Sequence, residues 1–163
     1  MEPVRNKVYG WTLELIKEGK ILQELILMLS TWNFAYFRFY IKDFDLKSFE
    51  KAIKECGIDY FKDKRFEEID FGDKKIKERI IKIYKILSSF NGVRFVGATK
   101  VMHFLYSDVF VMWDSKIIKQ YKAKTFSEGY IDFAEKMQEM YKKWDFKNLD
   151  KSVSIPRAID IYN

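Results

Sequence analysis

Few residues in this chain have the chemistry to do more than pack. Its 163 residues include one histidine, His103, and one cysteine, Cys56. A single cysteine excludes an internal disulfide framework and a cysteine-held zinc or iron–sulfur site within one chain. A single histidine argues against His-rich metal sites and paired His acid–base chemistry. No Ser-His-Asp set and no phosphate-cradling Gly-rich loop stands out, and neither a metal nor a cofactor is expected. Three features remain. Asp114, in Trp113-Asp114-Ser115-Lys116-Ile117, is a carboxylate at the mouth of a helical pattern. Taken alone it reads as an N-cap worth about 1 kcal/mol. Phe90-Asn91-Gly92-Val93-Arg94 is a Gly-containing turn between two helical patterns. Finally, Lys74 to Lys124 holds 12 basic residues against three acids (Glu78, Asp108 and Asp114), in a chain whose net charge is only +6. Solvated helix faces would look like this. So would a phosphate-facing surface, which gains by releasing counterions.

These residues must be positioned by helices. With 48% hydrophobic and 33% charged residues the chain has the composition of a folded protein. Aromatics reach 18%, and the scarcity of Gly (7) and Pro (2) argues against a strand-rich sandwich or barrel. The expected architecture is all-α, a single helical domain over 1–163. Residues 10–30 carry Leu13, Ile16, Leu22, Leu25, Ile26 and Leu29 at helical spacing. The run Trp32-Asn33-Phe34-Ala35-Tyr36-Phe37-Arg38-Phe39-Tyr40 is either core or a groove whose rings stack on bases, with Asn33 and Arg38 as its polar members. Asp45 can cap a helix through Cys56, and Asp73 caps the cleanest helix, 74–88. A second pattern follows the turn through Ala98, Val101, Met102 and Leu105. Tyr106 to Trp113 reads as a connection. Ser127 is expected to cap a helix carrying Phe133, Met137, Met140, Tyr141 and Trp144, and Ser154-Ile155-Pro156 to start a last one. The N-terminus lacks the pattern of a signal peptide, and Ile21 to Leu29 is too short to span a bilayer. The expected protein is cytoplasmic, without a membrane partner.

The segment 74–105 resembles the helix-hairpin-helix of the DNA glycosylase superfamily that includes endonuclease III. The family turn usually reads Leu-Pro-Gly-Val-Gly. Gly92 and Val93 match it, Asn91 stands in place of proline, and Arg94 in place of the second glycine. Glycine permits the tight turn, and the next helix then offers free backbone N–H groups to a DNA phosphate. An arginine in the second glycine position is strained if the turn needs a positive φ there. The family also places a carboxylate eighteen positions after the second residue of the post-hairpin helix. Counting from Val96 gives Asp114 without a gap. The resemblance covers about thirty-five residues, from Ser88 to Lys122.

The resemblance implies a DNA partner, bound through Gly92, Val93, Arg94, Lys100 and Lys116. It also implies excision of a damaged or mismatched base, a hydrolase role in DNA repair with Asp114 as the catalytic carboxylate. Such an acid stabilises the positive charge that builds on the sugar and orients the attacking water. The flipped nucleotide needs a pocket, for which Trp113, Phe110, Asn33 and Arg38 are candidates. Bifunctional relatives carry a Schiff-base lysine where this chain has Val96, so the implied route is Lys-independent. Lys100, one turn further on, is expected to point elsewhere, and the cluster cysteines of endonuclease III are absent. The alternative is a non-catalytic DNA-binding protein on the same scaffold, which Arg94 and Val96 both favour. His103 is expected to be structural and Cys56 a buried, inert thiol.

Overall fold

Gly19 divides the first expected helix in two. A computed structural model describes residues 4–143 and 153–162, and in it the 10–30 periodicity belongs to α1 (Val4–Lys17) and α2 (Ile21–Trp32). At φ 75° Gly19 takes the left-handed conformation that ends α1. Gly19 N donates to Ile16 O and Lys20 N to Leu15 O, both at 2.9 Å, the paired bonds of a glycine C-cap. A side-chain-bearing residue would resist that backbone; glycine does not.

The aromatic run forms a short helix, α3 (Phe34–Phe37), followed by a 3₁₀ turn at Ile41–Asp43. Then come α4 (Leu46–Glu55), 3₁₀ turns at Ile58–Phe61 and Phe66–Glu68, and α5 (Lys74–Ser88). The chain continues with α6 (Arg94–Leu105), α7 (Ser115–Tyr121), α8 (Ser127–Lys143) and α9 (Ile155–Tyr162). The expected caps form. Asp45 accepts from Ser48 N at 3.0 Å, and Asp73 from Lys75 N at 2.7 Å. Ser127 behaves otherwise: it is the first residue of α8, and its hydroxyl donates to Glu128 Oε2 at 2.7 Å instead of capping. Trp144 lies outside the described residues.

Every regular element among the described residues is a helix, without a strand, and the protein is all-α. No helix among them is long and apolar enough to cross a membrane. The core centres on α6, which is buried from Gly97 to Phe104 and packs on α5, α2 and α1. An element apolar on nearly every side belongs at the middle of a helical fold. Gly97 makes this possible on the α2 side. A Cβ there would stand 3.0 Å from Asn33 Nδ2 and 3.1 Å from Val93 Cγ1, so a larger residue would push these side chains back by a few tenths of an ångström. On the far side α5 packs against α8, where Gln138 Nε2 donates to Phe66 O and Ile69 O, each at 2.8 Å, and so satisfies two interior carbonyls of the 3₁₀ region.

Candidate functional site

The turn between α5 and α6 is built on its neighbours. Gly92 has φ 92°, and a Cβ there would meet Phe37 Cδ2 at 3.0 Å and Tyr40 Cβ at 3.3 Å. Glycine is thus required twice, for the backbone angle and for the space under α3. Asn33, buried where α2 meets α3, donates its Nδ2 to Gly92 O at 2.8 Å and to Val93 O at 3.3 Å. One amide therefore pins the turn from 59 residues earlier in the chain. Arg94 stands at φ 49°, in the left-handed region, and carries a side chain there at a steric cost. Its guanidinium reaches Tyr36: Nη1 donates to the phenol oxygen at 3.1 Å, with the charge 5.5 Å from the ring centre.

Beside this turn opens a cleft of about 980 Å³. The turn contributes Val93, Arg94, Phe95 and Val96, and α3 and its flank contribute Asn33, Tyr36 and Tyr40. Asp114, Lys116 and Ile117 form the facing edge. Asp114 is half-buried and caps α7: its Oδ1 accepts from Lys116 N at 2.8 Å and Ile117 N at 2.9 Å. Both bonds end on the same oxygen, so Oδ2 stands outside the cap. Behind Asp114, Trp113 is clamped by indole donation to Phe95 O at 3.0 Å and by the rings of Tyr84, Tyr130 and Phe133. This is how the connection of 106–113 delivers the carboxylate to the cleft.

The far wall joins both ends of the described chain. Arg157 on α9 pairs with Asp160 and donates to Asn6 Oδ1 at 3.0 Å, and all three residues line the cleft. The Arg157 guanidinium lies 4.2 Å from the Tyr9 ring centre and 5.6 Å from that of Trp32. Burial pushes the Asp160 carboxyl above its ordinary value; Arg157 and Lys100 pull it back, and the charge of Asp114 adds to the rise. His103 sits beneath this wall. Its Nδ1 lies 2.6 Å from Phe110 O, a pure acceptor, so Nδ1 carries the proton and Nε2 accepts from the Tyr9 hydroxyl at 3.0 Å. Burial lowers its pKa to about 4, so it is neutral and structural. Cys56 is likewise buried, with its thiol pushed upward by burial.

The candidate residues thus divide. Asn33, Val93, Arg94, Asp114 and Lys116 line one cleft, with Gly92 in the turn behind it; Gly92 and Val93 are themselves buried, and the N–H groups of Val93 and Arg94, expected to be free for a phosphate, donate to Phe90 O at 3.1 and 3.2 Å. Lys100 also lines the cleft, contrary to the expectation that it points away. Four residues at 100° each return to within about 40° of the same helix face, so Lys100 shares the side of Val96. Its Nζ donates to Trp32 O at 2.5 Å, and the residue is only 7% exposed, which places it in the wall and not on an open DNA-facing surface. Trp113 borders the cleft as expected of a pocket residue, but its side chain has no exposed surface, so it backs the wall and does not present a free ring. Phe110 is buried against Phe61, away from the cleft. Arg38 does not line the cleft; its guanidinium stacks on the exposed rings of Phe34 and Phe39. Arg157 and Asp160 were not anticipated. The only signal for them was an Arg–Asp pair three residues apart after Pro156. Among the described residues no three of His, Cys, Asp or Glu come together to hold a metal ion. No family model matches the chain, and neither a curated protein nor a solved structure matches it.

Proposed function

We propose that this protein grips duplex DNA at the Gly92–Arg94 turn and hydrolyses a base–sugar bond in the adjoining cleft, as a Lys-independent glycosylase of helix-hairpin-helix type. The observation that carries the reading is that Asp114 and the turn line one and the same cleft. A turn that holds a phosphate and an acid that faces the neighbouring sugar have to share an opening, and a cleft of about 980 Å³ has room for a nucleotide and a water. In the reaction a water oxygen bonds to the sugar carbon as the carbon–nitrogen bond breaks. The bonding pair leaves with the base; the water's proton passes to the Asp114 carboxylate and from it, by way of solvent, to the departing base, which restores the carboxylate. Asp114, fixed through Oδ1 by two backbone N–H groups, has its charge oriented before substrate arrives, and this preorganisation is what stabilises the cationic sugar. Val96 lines the cleft without a nucleophile, and Lys100 is engaged with the Trp32 carbonyl, which supports water as the attacking group.

The test is Asp114→Asn. Asparagine caps helices as well as aspartate does, so the variant keeps α7 and removes only the charge. With duplexes carrying a panel of base lesions, the wild type is expected to release free base and the variant to lose at least about 100-fold in rate while still binding DNA. Base release at the wild-type rate would remove Asp114 from the chemistry. Duplex binding without turnover of any lesion would favour the non-catalytic DNA-binding alternative.

A further inference from the structure

The cleft holds a second carboxylate that the proposed chemistry does not use. Arg157, Asp160 and Ile161, at helical spacing on one face of α9, line the opening, while Ala158 and Ile159 of the same helix are buried in the fold. The Arg157 guanidinium is held from several directions. It donates through Nη1 to Asp160 Oδ2 and through Nη2 to Asn6 Oδ1 at 3.0 Å, and the rings of Tyr9 and Trp32 lie against it. Asp160 is held through Oδ2 alone: no described residue donates to its Oδ1, and 22% of its side chain stays exposed. Asp114 lines the same cleft from the α7 edge, with its Oδ1 committed to the helix cap. One acid is thus fixed by backbone beside the turn, and the other by a guanidinium on the wall.

We infer that Asp160 selects the base, and that the class it selects is guanine-type: a base whose edge carries a ring N–H beside an exocyclic NH2. The inference rests on the reading of the cleft as a base-excision site and deepens it by naming the substrate class. An ionised carboxylate accepts hydrogen bonds and cannot donate them, so a base edge set against it has to offer protons. Guanine offers two side by side, N1–H and N2–H. Adenine and cytosine offer an amino group next to an unprotonated ring nitrogen. Uracil and thymine offer one N–H between two carbonyls. Each of these other edges turns at least one lone pair toward the carboxylate, and in a cleft that repulsion is not relieved by water as it would be in solution. Arg157 is a positioning residue: its planar fork orients the carboxylate, and its charge opposes the effect of burial and favours the ionised form.

The experiment uses the full-length Asp114→Asn protein, which is expected to hold a duplex without consuming it. Three duplexes differ in one base: C8-oxidised guanine, C8-oxidised hypoxanthine (the same base without its amino group) and uracil. Fluorescence anisotropy at one salt concentration is expected to show the guanine duplex bound at least about tenfold tighter than either of the others, a margin of about 1.4 kcal/mol. Adding Asp160→Asn is expected to erase that order. Asparagine keeps an oxygen for Arg157, and thermal unfolding checks that the fold is retained. A merely structural Asp160 would weaken the three duplexes alike and leave their order standing. Equal affinity of the Asp114→Asn protein for the three duplexes, or an order that survives Asp160→Asn, overturns the assignment and leaves the DNA reading in place. Absence of binding to every duplex overturns both. The expected order together with base release that ignores Asp114→Asn supports Asp160 and removes only Asp114 from the chemistry.

Discussion

Replacing Asn33 by alanine and by aspartate tests whether one buried amide holds the turn. Alanine removes the bonds to Gly92 O (2.8 Å) and Val93 O (3.3 Å). At about 1 kcal/mol for each bond, the loss is about 2 kcal/mol, since the cleft lets water reach part of the vacated site. For a chain of this size about 2 kcal/mol lowers Tm by about 4–8 °C. Aspartate has the same shape but, when ionised, faces two carbonyl oxygens with no proton to give. Its folded pKa is then raised above the unfolded value of about 3.9. A group raised in this way has its stability present below the unfolded pKa and loses it as pH rises through the folded one. Asn33→Asp is therefore expected to be less stable than Asn33→Ala at pH 7. Its gap to wild type should narrow as pH falls from the raised folded pKa toward the unfolded value of about 3.9, where a protonated carboxyl can donate to Gly92 O. Thermal unfolding of the three proteins at several pH values reads this directly. An aspartate variant as stable as wild type at pH 7 would show that the amide is not what fixes the turn, and the account of how Gly92 and Arg94 are positioned would fall.

Two further outcomes are expected. Arg94→Gly relieves the left-handed strain that Arg94→Ala retains, so the glycine variant should be more stable by about 1 kcal/mol in chemical denaturation. On the proposed DNA reading, in which Arg94 meets one phosphate, both variants are expected to lower the slope of log affinity against log salt for duplex DNA by about 1; an unchanged slope removes Arg94 from that contact. Glu24 is buried with neither carboxylate oxygen hydrogen-bonded among the described residues, and burial pushes its pKa up to about 9. Its contribution is intact below about pH 4.5 and is lost as pH rises through 9, roughly 3 kcal/mol of it already gone at pH 7. Glu24→Leu should flatten that part of the stability–pH curve and raise Tm at pH 8; an unchanged slope would show that Glu24 does not titrate in this range.

The parts of the fold governed by local chemistry could be read from the residues. Asp45, Asp73 and Asp114 each precede a helix and each caps it through backbone N–H groups, because the capping bond spans only two or three residues. The positive φ at Arg94 was open only as a condition, through the resemblance that sets Arg94 in a glycine position. What failed depended on distant partners or on a turn. Gly19 interrupts a hydrophobic pattern that continues in phase on both sides, so periodicity alone joined α1 to α2. Phe110 has the composition of a pocket wall, yet Phe61 meets it away from the cleft; Trp113 does border the cleft, with its ring held under Tyr130 and Phe133 of α8. Lys100 was placed on the wrong side of α6 through its angle to Val96, an error of geometry and not of residue type. Arg157 and Asp160 reach the cleft only because α9 folds back to Asn6, which no local pattern announces.

That return has a consequence for when the site exists. The wall from Asn6 to Ile161 needs residues separated by 151 positions, joined by the Arg157 bond to Asn6. During synthesis the turn and Asp114 emerge well before α9 does, and the opening beside them stays unwalled until residue 161 has left the ribosome. Nascent chains thus display the basic stretch before the cleft has its α9 wall.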